Sequence, residues 1–441
     1  MKRKIHKKIE RKRPVIHKRI FVVFIIVLLW SGCIGSPEED LPYQRIIDLT
    51  VAEGIPGVVL FVRTPDFEFI GVSGYADVEN KIPMDKTQLF RIASTSKMFI
   101  GVLSVMLHCE GVITLDDPIT YWLPPSITDR IQYADSTTVR HLLNHTSGIY
   151  DYSENKEFWN AVTAHPATQW SAEDVLAYVY DQPAYFEPGT NWYYSNTNYL
   201  LAGLILDNAL GYHHSRAIRT KILEPLNMTS TFYEHHEDIL GDYVHGYSDI
   251  DRDGVLDDVK INQGYGLADC GMVSTVEDCA VFIESLFKED FLDTENKNKF
   301  MKELLPQNDE FYGLGVMKYP TEYGTGYGNG GHFIGYESSV LYFSDYDVTI
   351  VYFVNGTGPH LDKVMDDFLD RILKKTFSEL KDQHLSDDFT ATQLFIPQIR
   401  YQFFVIKDRE EILLSLLNVI ENCQNFRDEE FQSSLILIFQ D

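Results

Sequence analysis

Strand-forming sequence stands at the two ends of a long segment and helix-forming sequence fills the middle, an order that few folds accommodate. Residues 56–62 (PGVVLFV) and 68–72 (EFIGV) are β-branched and aromatic runs around a turn-prone Thr64-Pro65-Asp66, which predicts a hairpin. Strand signals return only at 312–316 (YGLGV), 335–343 and 348–354. Between them, residues 94–290 read as helices and loops. Lys97, Ile100, Gly101, Ser104 and Val105 recur at helical spacing before Gly111, a second helix runs from about Asn198 to Ala209 before Gly211, and capping boxes are predicted at Ser171 to Asp174 and Ser274 to Glu277. A short helix with Ile46, Ile47 and Val51 on one face precedes the first strand, and an amphipathic helix over 361–380 follows the last. Terminal strands of this kind bury their apolar faces by pairing with each other. The predicted fold is therefore α+β: one antiparallel sheet flanked by helices, with an inserted helical subdomain, over residues 44–380.

Outside that domain the ends carry different information. The first 19 residues hold ten Lys and Arg against one Glu, whereas the rest of the 441-residue chain holds 28 against 64 Asp and Glu. So acidic a body excludes nucleic acid as a partner. The basic stretch is followed by an apolar run, Ile20 to Trp30, and by Ser31-Gly32-Cys33, so residues 1–33 read as a signal or lipoprotein-anchor segment. Small residues directly before a cysteine resemble a lipobox, with Cys33 the lipid-modified residue; an uncleaved signal anchor is the alternative. Either way the chain is expected to be exported to the outer face of the cell membrane and held there by its N-terminus, with residues 34–43 as a tether. Cys109, Cys270, Cys279 and Cys423 show no metal-type spacing and read as buried thiols, a Cys270–Cys279 bridge being the alternative. Residues 386–441 form an extension in which no chemistry is evident.

Three short segments carry chemistry: Ser94-Thr95-Ser96-Lys97, Tyr194-Ser195-Asn196 and Asn329-Gly330-Gly331. On a helix, positions i and i+3 share a face, so Lys97 can bring its amine to the Ser94 hydroxyl. A buried amine sheds its proton more readily and can then accept that of an attacking serine. A helix N-terminus adds a backbone N–H and a favourable dipole for developing negative charge. Taken alone, Ser-x-x-Lys and Tyr-x-Asn are weak signals, and the Asn of the second can equally cap the next helix.

Order and surroundings make them specific. Phe90 to Lys97 with Leu115-Asp116-Asp117-Pro118, Leu142-Leu143-Asn144-His145-Thr146-Ser147-Gly148, Pro188-Gly189-Thr190, Tyr194 to Tyr199, Pro225-Leu226-Asn227-Met228 and Tyr312-Gly313-Leu314-Gly315 together resemble the serine β-lactamase and penicillin-binding-protein superfamily. Its class C β-lactamases, D-alanyl-D-alanine carboxypeptidases, D-aminopeptidases and esterases are the nearest in pattern. The resemblance implies that Ser94 is the nucleophile, that Lys97 and Tyr194 relay protons, and that Asn196 holds Lys97 and a substrate amide. It also implies an oxyanion site from the N–H groups of Ser94 and His332, beside Gly331 on an inner strand edge. Where the family has Lys-Thr-Gly or His-x-Gly, this chain has Asn329, which can hydrogen-bond to substrate but cannot attract a carboxylate. His332 is either a cationic substitute or a solvated loop residue.

Two further clusters stand apart. Asp249, Asp251, Asp253 and Asp257, with Gly254, match the first half of a calcium loop, but Lys260 holds the twelfth place. The alternatives are a partial structural calcium site and an acidic hairpin turn. Glu234-His235-His236-Glu237-Asp238 could bind a transition metal, though without spaced partners a solvated loop is the better reading.

The sequence thus predicts an exported serine hydrolase that cleaves an amide, β-lactam or ester bond of a small-molecule or peptide substrate through a Ser94 acyl-enzyme. No cofactor is required. Asn329 shifts the expected preference towards small esters and away from carboxypeptidase substrates. The rival reading is a non-catalytic surface binding or sensor protein that keeps the pocket.

Overall fold

The computed structural model describes residues 41–384 except 242, 251, 260, 261, 289–293, 308 and 309. Cys33, the basic and apolar N-terminal segment, Asp251, Cys423 and the 386–441 extension lie outside the described residues. Among those described, no helix is long and apolar enough to cross a membrane.

Helix α1 (Tyr43–Ala52) leads into strands β1 (Gly57–Arg63) and β2 (Glu68–Asp77), the predicted hairpin. Its inward face is Tyr43, Ile46, Ile47 and Thr50. Thr50 replaces the expected Val51 there because its hydroxyl returns to the Ile46 carbonyl at 3.1 Å and needs no solvent. A two-residue strand β3 (Ile82–Pro83) completes this edge. From the C-terminal end come β4 (Met317–Thr321), β5 (Gly324–Phe333), β6 (Tyr336–Phe343) and β7 (Val348–Val354). All seven join one antiparallel sheet in the order β3-β2-β1-β7-β6-β5-β4. The seam is β1 against β7, Leu60 opposite Tyr352, so strands nearly 300 residues apart bury each other.

Every residue of β7 and all of β1 except Arg63 are buried, which requires cover on both faces. On one face lies α6 (Asp362–His384), where Phe368 meets Tyr352 and Phe377 meets Phe343, and the Tyr43 hydroxyl bonds Thr376 at 2.9 Å. On the other lie α2 (Ser96–Cys109) and α5 (Val276–Phe287), joined by the stacked rings of Phe99 and Phe282 at 3.9 Å. The insert between them is helical, centred on α3 (Asn196–Leu210), which is buried over most of its length and is followed by the short α4 (His214–Ile218). Gly211 ends α3 in the left-handed conformation, φ 74°, a position where glycine carries no Cβ penalty.

Two further local expectations differ from what is observed, and one alternative is decided. Residues 312–316 form no strand: Gly315 turns the chain at φ +89° and the segment lies against α2, so closely that a Cβ on Gly101 would stand 1.9 Å from the Leu314 carbonyl oxygen. Two glycines free that stretch from the sheet. The cap of α5 is Thr275, which accepts from the Asp278 N–H, one place later than predicted, because Ser274 belongs to the strand Met272–Ser274. Cys270 and Cys279 are both free and buried, so the alternative of a bridge between them does not hold.

Candidate active site

The backbone reaches Ser94 through a strained residue. Ala93, with φ +49°, opens a 3₁₀ turn, Ala93–Thr95, that runs directly into α2. Ser94 thus sits at the entrance of a helix with Lys97 on the same face. Lys97 is wholly buried and its Nζ donates to three acceptors: Ser94 Oγ at 3.0 Å, Asn196 Oδ1 at 2.8 Å and the Asp269 carbonyl at 2.9 Å. The Tyr194 hydroxyl, from the strand-like approach to α3, donates to the same Ser94 Oγ at 2.9 Å. Lys97 Nζ also lies 5.0 Å from the Tyr194 ring centroid and 5.5 Å from that of Tyr199.

Burial pushes the Tyr194 phenol well above its ordinary value, with the Ser94 hydrogen bond acting the other way. Tyr194 is therefore a phenol, able to give a proton. Asn196 is held at both ends of its amide, since Nδ2 donates to Asp151 Oδ2 at 3.1 Å and to Ser153 Oγ at 3.3 Å. Burial raises the Asp151 carboxyl to about 7 and raises that of Asp269 as well. Two carboxyl groups thus stand behind the lysine.

The third motif departs from expectation in one respect. Gly331 approaches the nucleophile: a Cβ there would stand 2.2 Å from the Ile92 carbonyl oxygen and 2.9 Å from the Ser94 amide nitrogen, so only glycine lets β5 lie this close. His332, the next residue, is half-buried and pairs with Glu337 at 3.7 Å. Asn329, expected to meet substrate, points instead into the interior, completely buried, with Nδ2 donating to the Gly315 carbonyl at 2.8 Å. Residues two apart share a strand face, so Asn329 lies on the side that Gly331 turns to Ser94, buried under the Gly315 turn beside α2.

His145 is a functional residue that spacing did not single out. It is buried, at φ +61°, and its carbonyl accepts the Tyr193 N–H at 3.0 Å while its Nδ1 accepts the Ser195 N–H at 3.2 Å. It therefore holds the residues on both sides of Tyr194. Burial, then the charge of Lys97, push its imidazole far down, so it is neutral.

The described residues of the other predicted clusters make contacts within the fold. Asp249 accepts the Gly254 N–H and pairs with His360 at 3.4 Å, Asp253 accepts the Val255 N–H, and Asp257 belongs to a two-residue strand paired with Tyr247-Ser248. These are the contacts of an acidic hairpin turn. Glu234 and Glu237 are not solvated: they engage Arg91 and Arg219 at 2.7 Å each.

A serine whose hydroxyl is met by both a buried lysine and a tyrosine, at the edge of an antiparallel sheet under a helical insert, defines a serine hydrolase of the β-lactamase and penicillin-binding-protein type. The chain belongs to the Beta-lactamase family, whose model matches residues 44–374. It is 30% identical over 313 residues to penicillin-binding protein 4* of Bacillus subtilis (strain 168), covering 68% of each chain. With a β-lactamase of Escherichia coli (strain K12) it shares 28% identity over 268 residues, 59% of this chain and 66% of the other. Among solved structures it is similar to D-amino acid amidase from Ochrobactrum anthropi SV3, seen with L-phenylalanine, at a TM-score of 0.66 and 28% identity, covering 77% of this chain and 99% of that one. A D-stereospecific amidohydrolase from Streptomyces sp. gives a TM-score of 0.65 at 27% identity, covering 76% and 98%.

Proposed function

We propose that this protein is an exported, N-terminally anchored acyl hydrolase that cleaves small amides or esters lacking a free carboxylate beside the scissile bond. The observation that carries the reading is the pair of hydrogen bonds converging on Ser94 Oγ from Lys97 and Tyr194. Ser94 attacks the carbonyl carbon and its proton passes to Lys97 in the unprotonated form. The N–H groups of Ser94 and His332 receive the oxyanion, and collapse expels the amine or alcohol, which takes a proton from Tyr194 as Tyr194 regains one from Lys97, so Lys97 is again unprotonated. Water then attacks the ester carbonyl, giving a proton to the Lys97–Tyr194 pair; the bond to Ser94 Oγ breaks, the acid leaves, and that proton returns to the Ser94 oxygen. No cofactor enters these steps.

The substrate preference rests on the third motif. Asn329 is neutral where the family has a lysine or histidine, and its amide is engaged by the Gly315 carbonyl, so it offers no cation to a substrate carboxylate. The amidases it resembles support amides of D-amino acids as the first compounds to try. Intact-mass measurement of the full chain after a fluorophosphonate should show one adduct on Ser94, absent in Ser94→Ala. Turnover of D-amino-acid amides and p-nitrophenyl esters should exceed that of D-alanyl-D-alanine peptides. The reverse order would sink the carboxylate argument, and an acyl-enzyme formed from these amides or esters that never clears would favour a sensor.

A further inference from the structure

Two His-His pairs that are 22 residues apart in sequence meet on one cavity. His213-His214 opens the short helix His214–Ile218 after α3, and His235-His236 lies in the acidic loop that follows the strand Phe232–Tyr233. The His213 ring stacks on His236 with centroids 3.6 Å apart and lies 4.2 Å from His214. Asp207, on the last turn of α3, faces the same space, and ligand atoms of Asp207, His213 and His214 lie within 4.8 Å of one another. The cavity beside them has a volume of about 430 Å³ and is also lined by Trp170, Glu173 and Tyr265.

We propose that Asp207, His213 and His214 bind a divalent transition-metal ion such as zinc, with a remaining coordination position open to this cavity. Two imidazoles and one carboxylate are a donor set suited to a borderline cation and poorly suited to calcium or magnesium. Each histidine also has an orienting partner of the kind metal-bound imidazoles use. His214 Nε2 is 2.7 Å from the Tyr233 hydroxyl, leaving Nδ1, now 2.8 Å from Asp207 Oδ1, to face the ion. His213 Nδ1 is 2.8 Å from Ser215 Oγ, leaving Nε2 for the ion. Loading places the imidazole protons on His214 Nε2 and His213 Nδ1, where Tyr233 and Ser215 accept them, and gives up the 3.2 Å bond from the Ser215 N–H to His213 Nδ1. No net proton is lost. The ion would tie the end of α3 to the next helix, on the side of the cavity wall formed by Leu267 and Ala268, directly before Asp269.

Metal-stripped full chain titrated with zinc chloride by calorimetry, with metal content checked by mass spectrometry after dialysis, tests this independently of any hydrolase activity. Wild type and Ser94→Ala should each bind one zinc ion that raises the melting temperature. Asp207→Ala and His213→Ala should lose at least tenfold in affinity. Tyr233→Phe, which keeps every ligand and packs alike, should lose about tenfold, the size expected for an outer-sphere partner. Circular dichroism of each metal-free variant establishes that it is folded. Absence of saturable binding to wild type overturns the proposal. So does binding unchanged in folded Asp207→Ala and His213→Ala, or binding abolished by His245→Ala, which belongs to a separate Asp77-Glu79-His245 cluster.

Discussion

The imidazole of His145 lies with its centroid 4.3 Å from that of the Tyr194 ring, while its backbone and side chain bond the two residues flanking that tyrosine. Tyr194 is thus set by a neighbour 49 positions earlier in the chain. His145 does not touch Ser94 by any hydrogen bond, so its effect on catalysis is positional. Replacing it with Phe keeps a ring against Tyr194 but removes the acceptor of the Ser195 N–H and the partner of Asn198. We expect a loss of about 1–3 kcal/mol in stability from the unpaired buried donor. A fall of about 100-fold in kcat, with KM changed much less, is expected from misplacement of the phenol. Urea unfolding and steady-state kinetics measure the two; a stability loss with kcat intact would confine His145 to the fold.

Convergence on Ser94 Oγ makes the three residues a unit. Ser94→Ala and Lys97→Met should each lower kcat/KM by at least about 10³-fold, and the double variant should lose little more than either single one. Tyr194→Phe, which retains the ring, should cost about 10²–10⁴. Additive losses in the double variant would argue against a shared step.

Adjacent glycines of β5 should respond in opposite ways. Gly331→Ala drives a Cβ into the Ile92 carbonyl and the Ser94 amide, whereas at Gly330 the nearest atom, the Ser338 carbonyl oxygen, is 3.4 Å away. We expect Gly331→Ala to cost about 1–3 kcal/mol and most of the activity, and Gly330→Ala to be close to neutral. Thermal melts and ester turnover of the pair distinguish this from a general intolerance of the strand.

Asp151 should leave a signature in the pH dependence of stability. Its carboxyl is raised by burial to about 7 in the folded chain, from an unfolded value near 4. The folded state therefore holds the proton more tightly, so this group's stabilising contribution is complete below about pH 4 and is lost as pH rises towards 7. The slope is at most about 1.4 kcal/mol per pH unit. Asp151→Asn should flatten the unfolding free energy between pH 4 and 7, and an unchanged slope in denaturant melts would count against the raised value.

Much of this was legible in the residues alone. The hairpin 57–77 and the strand 348–354 announce themselves by β-branched composition, and Ser94-x-x-Lys97 places two reacting groups on one helical face by spacing. Tyr194 was legible only through the order of several motifs, since Tyr-x-Asn alone says little. Asn329 shows the limit: its identity is plain, but which way it projects depends on the register of β5 against β6, set by side chains on both strands.

What the sequence by itself determined is the class of fold, an antiparallel sheet closed by strands from both ends of the domain, and the placing of Ser94 and Lys97 on one helical face, because local periodicity and composition act over a few residues; Tyr194 came from the order of the motifs. Only the tertiary structure decided that His145 clamps Tyr194, that Asn329 turns inward, and that His213-His214 and His235-His236 face one cavity. Those outcomes depend on contacts between segments tens to hundreds of residues apart, where packing and strand register, not local preference, choose the neighbour.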